Sequence, residues 1–181
     1  MNSYTGGGFP LLVRASFGGN HAGMDMHVGE RFHGHGALRR GRVSLPGQVY
    51  HVTVATGRRM PWFADFHVGC EAVRAFRQPG VLGDAFLLAW VLMPDHAHWL
   101  LQMGSAMPME RLVARMKSAS GVQANRVLAR AGPLWQPAFH DRALRADDDL
   151  RSVARYIVAN PLRAGLVEHI GDYPFWDCAW L

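Results

Sequence analysis

Two apolar runs, Ala85 to Met93 and His96 to Met103, are separated only by Pro94-Asp95, and this pair constrains the fold more than any other segment. The first run has nine residues, far short of the roughly 20 needed to cross a bilayer as a helix. Both have the length of buried strands, and Pro94-Asp95 is turn chemistry, so the two are expected to form a hairpin. A two-stranded hairpin is barely stable in water and must be completed by further strands and by helices that cover its apolar faces.

The rest of the chain supplies those elements. Gln48 to Val54 alternates with β-branched residues behind the Pro46-Gly47 turn signal and is expected to be a strand. Asp65 to Arg77 carries Phe66, Cys70, Val73 and Phe76 at helical spacing before Gln78-Pro79-Gly80 stops it. A second helix is expected from Met109 to about Ala129, weakened at Gly121. A third is marked by Asp147-Asp148-Asp149, acidic residues favoured in a first turn, then shows Leu150, Val153 and Ile157 on one stripe and is closed by Pro161. The order is that of a split βαβ, ferredoxin-like domain once one more strand is found, expected within Leu134 to Leu144. The expected class is therefore α+β, with an antiparallel sheet and helices packed on one face. Such sheets serve RNA binding, metal transport and catalysis, so the fold alone does not choose a function.

Composition narrows the partners. The 181 residues are 49% hydrophobic and 18% charged, enough for one domain with a true core. The formal charge of +5 favours a polyanion, either nucleic acid or an acidic membrane surface. Lys117 is the single lysine among the 19 basic side chains. Arginine forks suit phosphate, although a GC-rich coding bias gives the same skew. Cys70 and Cys178 are too few for a disulfide framework or a four-thiolate zinc site, which fits a reducing compartment. With neither a signal peptide nor an apolar span legible, the expectation is a cytoplasmic protein with no membrane partner. Residues 1–41 hold half of the glycines and no sustained period, and are expected to be a mobile N-terminal extension to a domain over 42–181. Within it, His27, His33 and His35 are either a metal-binding tract or part of an unordered leader.

Three features carry chemistry. His96-Ala97-His98 puts two imidazoles on one strand face, where they either grip a metal ion or lie as ordinary half-buried histidines. Asp95 beside them is either an orienting partner for an imidazole or a turn residue. Tyr156 and Asn160, four apart, share one flank of the third helix; the alternative is a tyrosine at the core edge and an asparagine ending the helix. Finally, Arg111 with Arg115, and Arg126 with Arg130, are spaced so that like charges repel unless an anion bridges them. Trp135, Trp176 and Trp180 are large apolar rings expected in the core or at its edge, the alternative being stacking surfaces for unpaired bases.

Together, the Pro46-Gly47 entry, MPDHAHWLL, Trp135-Gln136 with Phe139 before Asp141, and YIVANPLRAGLV from Tyr156 to Val167 resemble the single-tyrosine HUH transposases, and within them the REP-associated tyrosine transposases. The resemblance runs from about Arg39 to the C-terminus. It implies an HUH nuclease core in which His96, His98 and Asn160 bind a divalent metal, Mg²⁺ or Mn²⁺, and Tyr156 is the catalytic nucleophile. It further implies single-stranded or palindromic hairpin DNA as partner, contacted by Arg111, Arg115, Arg126, Arg130 and Arg155, and either a monomer or a homodimer. The chemistry implied is cleavage and strand transfer through a 5′-phosphotyrosine link. Two rivals share these residues: a non-catalytic single-stranded nucleic-acid-binding module and a water-using metallophosphodiesterase.

Overall fold

The computed structural model describes residues 45–145 and 148–180. The N-terminal extension expected over 1–41, its histidines, and Asp147 lie outside the described residues. Five strands, β1 (Val49–Ala55), β2 (Phe86–Met93), β3 (His96–Gln102), β4 (His140–Ala143) and β5 (Trp176–Cys178), form one sheet in the order β4-β1-β3-β2-β5. Every pairing is antiparallel. The helices are α1 (Phe66–Phe76), α2 (Pro79–Leu82), α3 (Met109–Val127), α4 (Leu150–Val158) and α5 (Asn160–Arg163). This is the α+β ferredoxin-like arrangement expected, with the extra strand within Leu134 to Leu144 present as β4.

The sheet has two unlike faces, because successive side chains on a strand point oppositely. Val52 and Val54 of β1 are buried on the face shared by Ala97 and Trp99 of β3, whereas His51, Thr53, His96 and His98 are half-buried on the other. α1 covers the first face, its Phe76 ring meeting Trp90 at 5.3 Å and Trp99 at 5.5 Å between centroids. α3 packs on α1, and Ser120 of α3 accepts a hydrogen bond from Trp135 Nε1 at 3.0 Å. Trp135 in turn meets Trp99. The shared face expected for the helices holds for this pair. α4 instead lies directly against β2, β3 and β5.

Helix ends follow capping chemistry. Asp65 caps α1, accepting from His67 N and Val68 N at 2.8 and 3.1 Å. Asp149 caps α4 through Arg151 N and Ser152 Oγ, so this carboxylate sits just ahead of the helix rather than inside its first turn. Pro161 does not close the third helix, as the sequence suggested. The helix breaks at Ala159, and Pro161 stands in the first turn of α5, where its missing N–H costs no hydrogen bond.

The strand β5 was not legible as such. Three residues are too few for a periodic signal, and β5 exists because it pairs with Ala89, Trp90 and Val91. The segment before it is tied down by Tyr173, whose hydroxyl donates to Leu92 O at 2.6 Å, and by buried Phe175. A methyl group added at Gly69 of α1 would stand 2.4 Å from the Phe175 ring, so only glycine admits this approach. Among the described residues, no helix is long and apolar enough to cross a membrane.

Candidate active site

The strand register assembles the site. Thr53 of β1 lies opposite both His98 of β3 and His140 of β4, while Ala55 lies opposite His96. Directly opposed residues share a face, so His98 meets the Thr53 hydroxyl, whereas the opposed partners of His96 are Ala55 and Met93.

Each imidazole of the pair is held from behind. His96 Nδ1 is 2.5 Å from Asp95 Oδ1, and Asp95 Oδ2 also accepts from Arg59 at 3.3 Å. His98 Nδ1 lies 3.0 Å from Thr53 Oγ1 and 3.1 Å from His51 Nε2. With the Nδ1 atoms engaged, both Nε2 atoms remain for a ligand, which is the arrangement that fixes ring orientation in metal-binding histidines. The ring centroids of His96 and His98 are 4.9 Å apart and the planes nearly perpendicular, at 85°.

Burial, more than any charge, pushes the His98 pKa down to about 3, with further lowering from His96, His51, Arg163 and Arg59. His98 is therefore neutral near pH 7 with a lone pair to offer. His51 is also lowered, first by burial and then by Arg142. Asp95 stands in the turn between β2 and β3, as one of its two sequence readings had it, and its carboxylate also contacts His96.

Tyr156 lies on α4 and is 59% exposed. The Arg163 guanidinium carbon sits 3.9 Å from the centre of the Tyr156 ring. α4, which carries Tyr156, packs against β3, the strand of the histidine pair. Asn160 opens α5 and donates from Nδ2 to Ile157 O at 2.7 Å, and among the described residues no donor engages its Oδ1. That oxygen is the kind of neutral donor a divalent ion accepts. No group of three or more His, Cys, Asp or Glu side chains that could hold a metal occurs among the described residues. A two-imidazole site accordingly depends on an amide oxygen or on substrate to fill its remaining positions, and the donor set present fits a divalent ion in that way.

Of the five arginines singled out in the sequence, only Arg155 lies on α4, exposed next to Tyr156. Arg111, Arg115 and Arg126 lie on α3 and Arg130 follows it, across the sheet from the histidines. Three of these four have partners in the fold. Arg115 donates to Gly80 O, Arg126 to Gln123 Oε1 at 3.0 Å, and Arg130 to Asn125 Oδ1 at 2.6 Å while stacking on Trp62. Trp135 is a core residue, and Trp176 and Trp180 pack against the core. Sequence reasoning missed His51, Thr53, Arg59 and Arg163. His51 and Thr53 alternate visibly on one strand, but only register places them behind His98. Arg163 lies seven residues after Tyr156 but beyond the break at Ala159, so no single helical face marked the pair in the sequence.

A family model described as IS200-like transposase matches residues 45–160. The chain belongs to this transposase family. Among curated proteins it is 30% identical over 92 residues to the REP-associated tyrosine transposase of Escherichia coli, covering 48% of this chain and 50% of that protein, so the match spans half the length of that relative. It is also 30% identical over 139 residues to the "Putative REP-associated tyrosine transposase" of Haemophilus influenzae, covering 71% of this chain and 78% of that one. Among solved structures, a REP-associated tyrosine transposase bound to a REP hairpin matches with a TM-score of 0.58 at 24% identity, covering 75% of this chain and 79% of that one. The likeness extends to the fold of this transposase. The matched segment from 45 to 160 contains the histidine pair, Tyr156 and Asn160, and ends just before Arg163.

Proposed function

We propose that this IS200-like family member cleaves and rejoins single-stranded DNA beside a palindromic hairpin through a 5′-phosphotyrosine intermediate on Tyr156. The observation that carries this reading is the paired fixation of His96 by Asp95 and of His98 by Thr53 and His51 on β3, the strand against which α4 carries Tyr156. Curated REP-associated tyrosine transposases as relatives, and a solved relative bound to a REP hairpin, support hairpin DNA as the substrate class.

His96, His98 and the Asn160 carboxamide oxygen would hold Mg²⁺ or Mn²⁺. When bound there, such an ion polarises the scissile phosphate and offsets developing charge. Asp95, Thr53 and His51 keep the two imidazoles in the ligand-competent tautomer, with the proton on Nδ1. The phenolic oxygen of Tyr156 attacks phosphorus, forming the Tyr O–P bond as the P–O3′ bond breaks. The phenolic proton is lost, and the departing oxygen takes one up as a free 3′-OH, so the protons balance. The bond energy stays in the link, and a DNA 3′-OH reverses the exchange without ATP. Exposure of Tyr156 suits a nucleophile that must meet a polymer. Arg155, exposed beside it, is placed for backbone phosphate.

Incubating the chain and its Tyr156→Phe variant with labelled hairpin oligonucleotides and Mn²⁺ tests this. The expected result is a covalent adduct on denaturing gels from the first and none from the second, with hairpin affinity retained. Cleavage that leaves free ends and nothing attached to protein would indicate the water-using phosphodiesterase instead, and binding without cleavage would indicate the non-catalytic module.

A further inference from the structure

We propose that Arg163 is a positioning residue for the nucleophile, its planar cation holding the Tyr156 ring by one face while its N–H edges receive an oxygen of the phosphate that the tyrosine attacks. This deepens the reading of Tyr156 as nucleophile and rests on it.

Four observations carry the assignment. The guanidinium lies over the ring at 3.9 Å, well inside the roughly 6 Å over which a cation is attracted to an aromatic face. Arg163 is exposed, and among the described residues no acceptor takes a hydrogen bond from its side chain, so the in-plane N–H groups are available. Those N–H groups form a rigid fork matched to phosphate oxygens. The helix that carries the ring, α4, finally, lies against β3, the strand of the histidine pair.

Local structure explains how two residues seven apart meet. α4 ends at Val158, Ala159 breaks the ladder, and α5 restarts at Asn160, with Arg163 N donating to Ala159 O at 3.1 Å. The break falls between ring and guanidinium, so their stacking spans it and fixes the direction of the phenol. An exposed tyrosine with free rotation would find the in-line angle only part of the time, and a held ring removes that entropy before the substrate arrives.

The test separates rate from binding. Single-turnover attachment to a labelled hairpin oligonucleotide in Mn²⁺ is measured for the unaltered chain, Arg163→Ala and Arg163→Lys, alongside hairpin affinity without metal and thermal unfolding. Arg163→Ala should slow attachment about 30- to 300-fold, leave affinity within about threefold and leave the unfolding midpoint nearly unchanged. Arg163→Lys, which keeps charge but not planarity, should recover only part of the rate. Guanidinium ion added in solution should accelerate Arg163→Ala and not Tyr156→Phe. Attachment by Arg163→Ala at the unaltered rate overturns the proposal, as does a fall in affinity that matches the fall in rate. If the unaltered chain forms no adduct, or Tyr156→Phe forms one, the nucleophile assignment fails and Arg163 loses its role with it. An Arg163-specific failure leaves a normal Tyr156-dependent adduct in place, so the two failures are distinct.

Discussion

His98 carries the largest electrostatic consequence of any single residue in the site. Its unfolded imidazole takes a proton near 6.5, whereas the folded one does so only at about 3, chiefly because burial disfavours the charged form. Between those values the unfolded state binds more protons, so stability falls as pH is lowered through that window and is unaffected by His98 above it. Thermal unfolding in chelator across this range should show the midpoint dropping with acid, and His98→Gln should flatten the slope, with His51 and the carboxylates of Asp84 and Asp149 supplying what remains. Asp95 acts on the neighbouring ligand. Asp95→Asn weakens the hold on His96 and the ion pair with Arg59, and metal affinity by titration calorimetry should fall about tenfold or more. The His-x-His spacing was legible because strand alternation is local. What fixes each ring was not, except for Asp95, which is adjacent in sequence.

Helices and their junctions behave according to what their side chains touch. Arg130 is bonded to Asn125 and Pro133 and stacked on Trp62. Arg130→Ala should therefore cost about 1 kcal/mol of stability in denaturant unfolding, with little change in DNA affinity. At the α1 and C-terminal contact, Gly69→Ala pushes a methyl into the buried Phe175 ring, and should destabilise by about 1–3 kcal/mol. Helical periodicity revealed α1, α3 and α4 within a residue or two. It misplaced the role of Pro161, since proline that forbids a continuing helix also favours a starting one. The acidic run before α4 was read correctly as a helix start. Its individual duties, Asp149 capping and Asp148 accepting from Arg142 and Arg145 N, depend on the chain's turn there.

Across the whole molecule the sheet separates two layers, one a helix-covered core face and the other the histidine face with α5 beside it. On the proposed reading, a DNA strand engaged at Tyr156 would lie near Arg155 of the same helix, whereas Arg111 lies on α3. Hairpin affinity measured against salt should lose about one unit of slope in Arg155→Ala and retain its slope in Arg111→Ala. Loss of slope in Arg111→Ala alone would place the duplex against α3. The sequence by itself determined the strands and helices, the α+β order and the histidine pair, because periods of two and 3.6 residues are written in neighbouring positions. Only the tertiary structure decided that His51 and Thr53 stand behind His98, that β5 completes the sheet, and that Arg163 covers Tyr156. Those facts follow from register between strands and from a break between two helices, and both are set by burial of the whole core rather than by any local pattern.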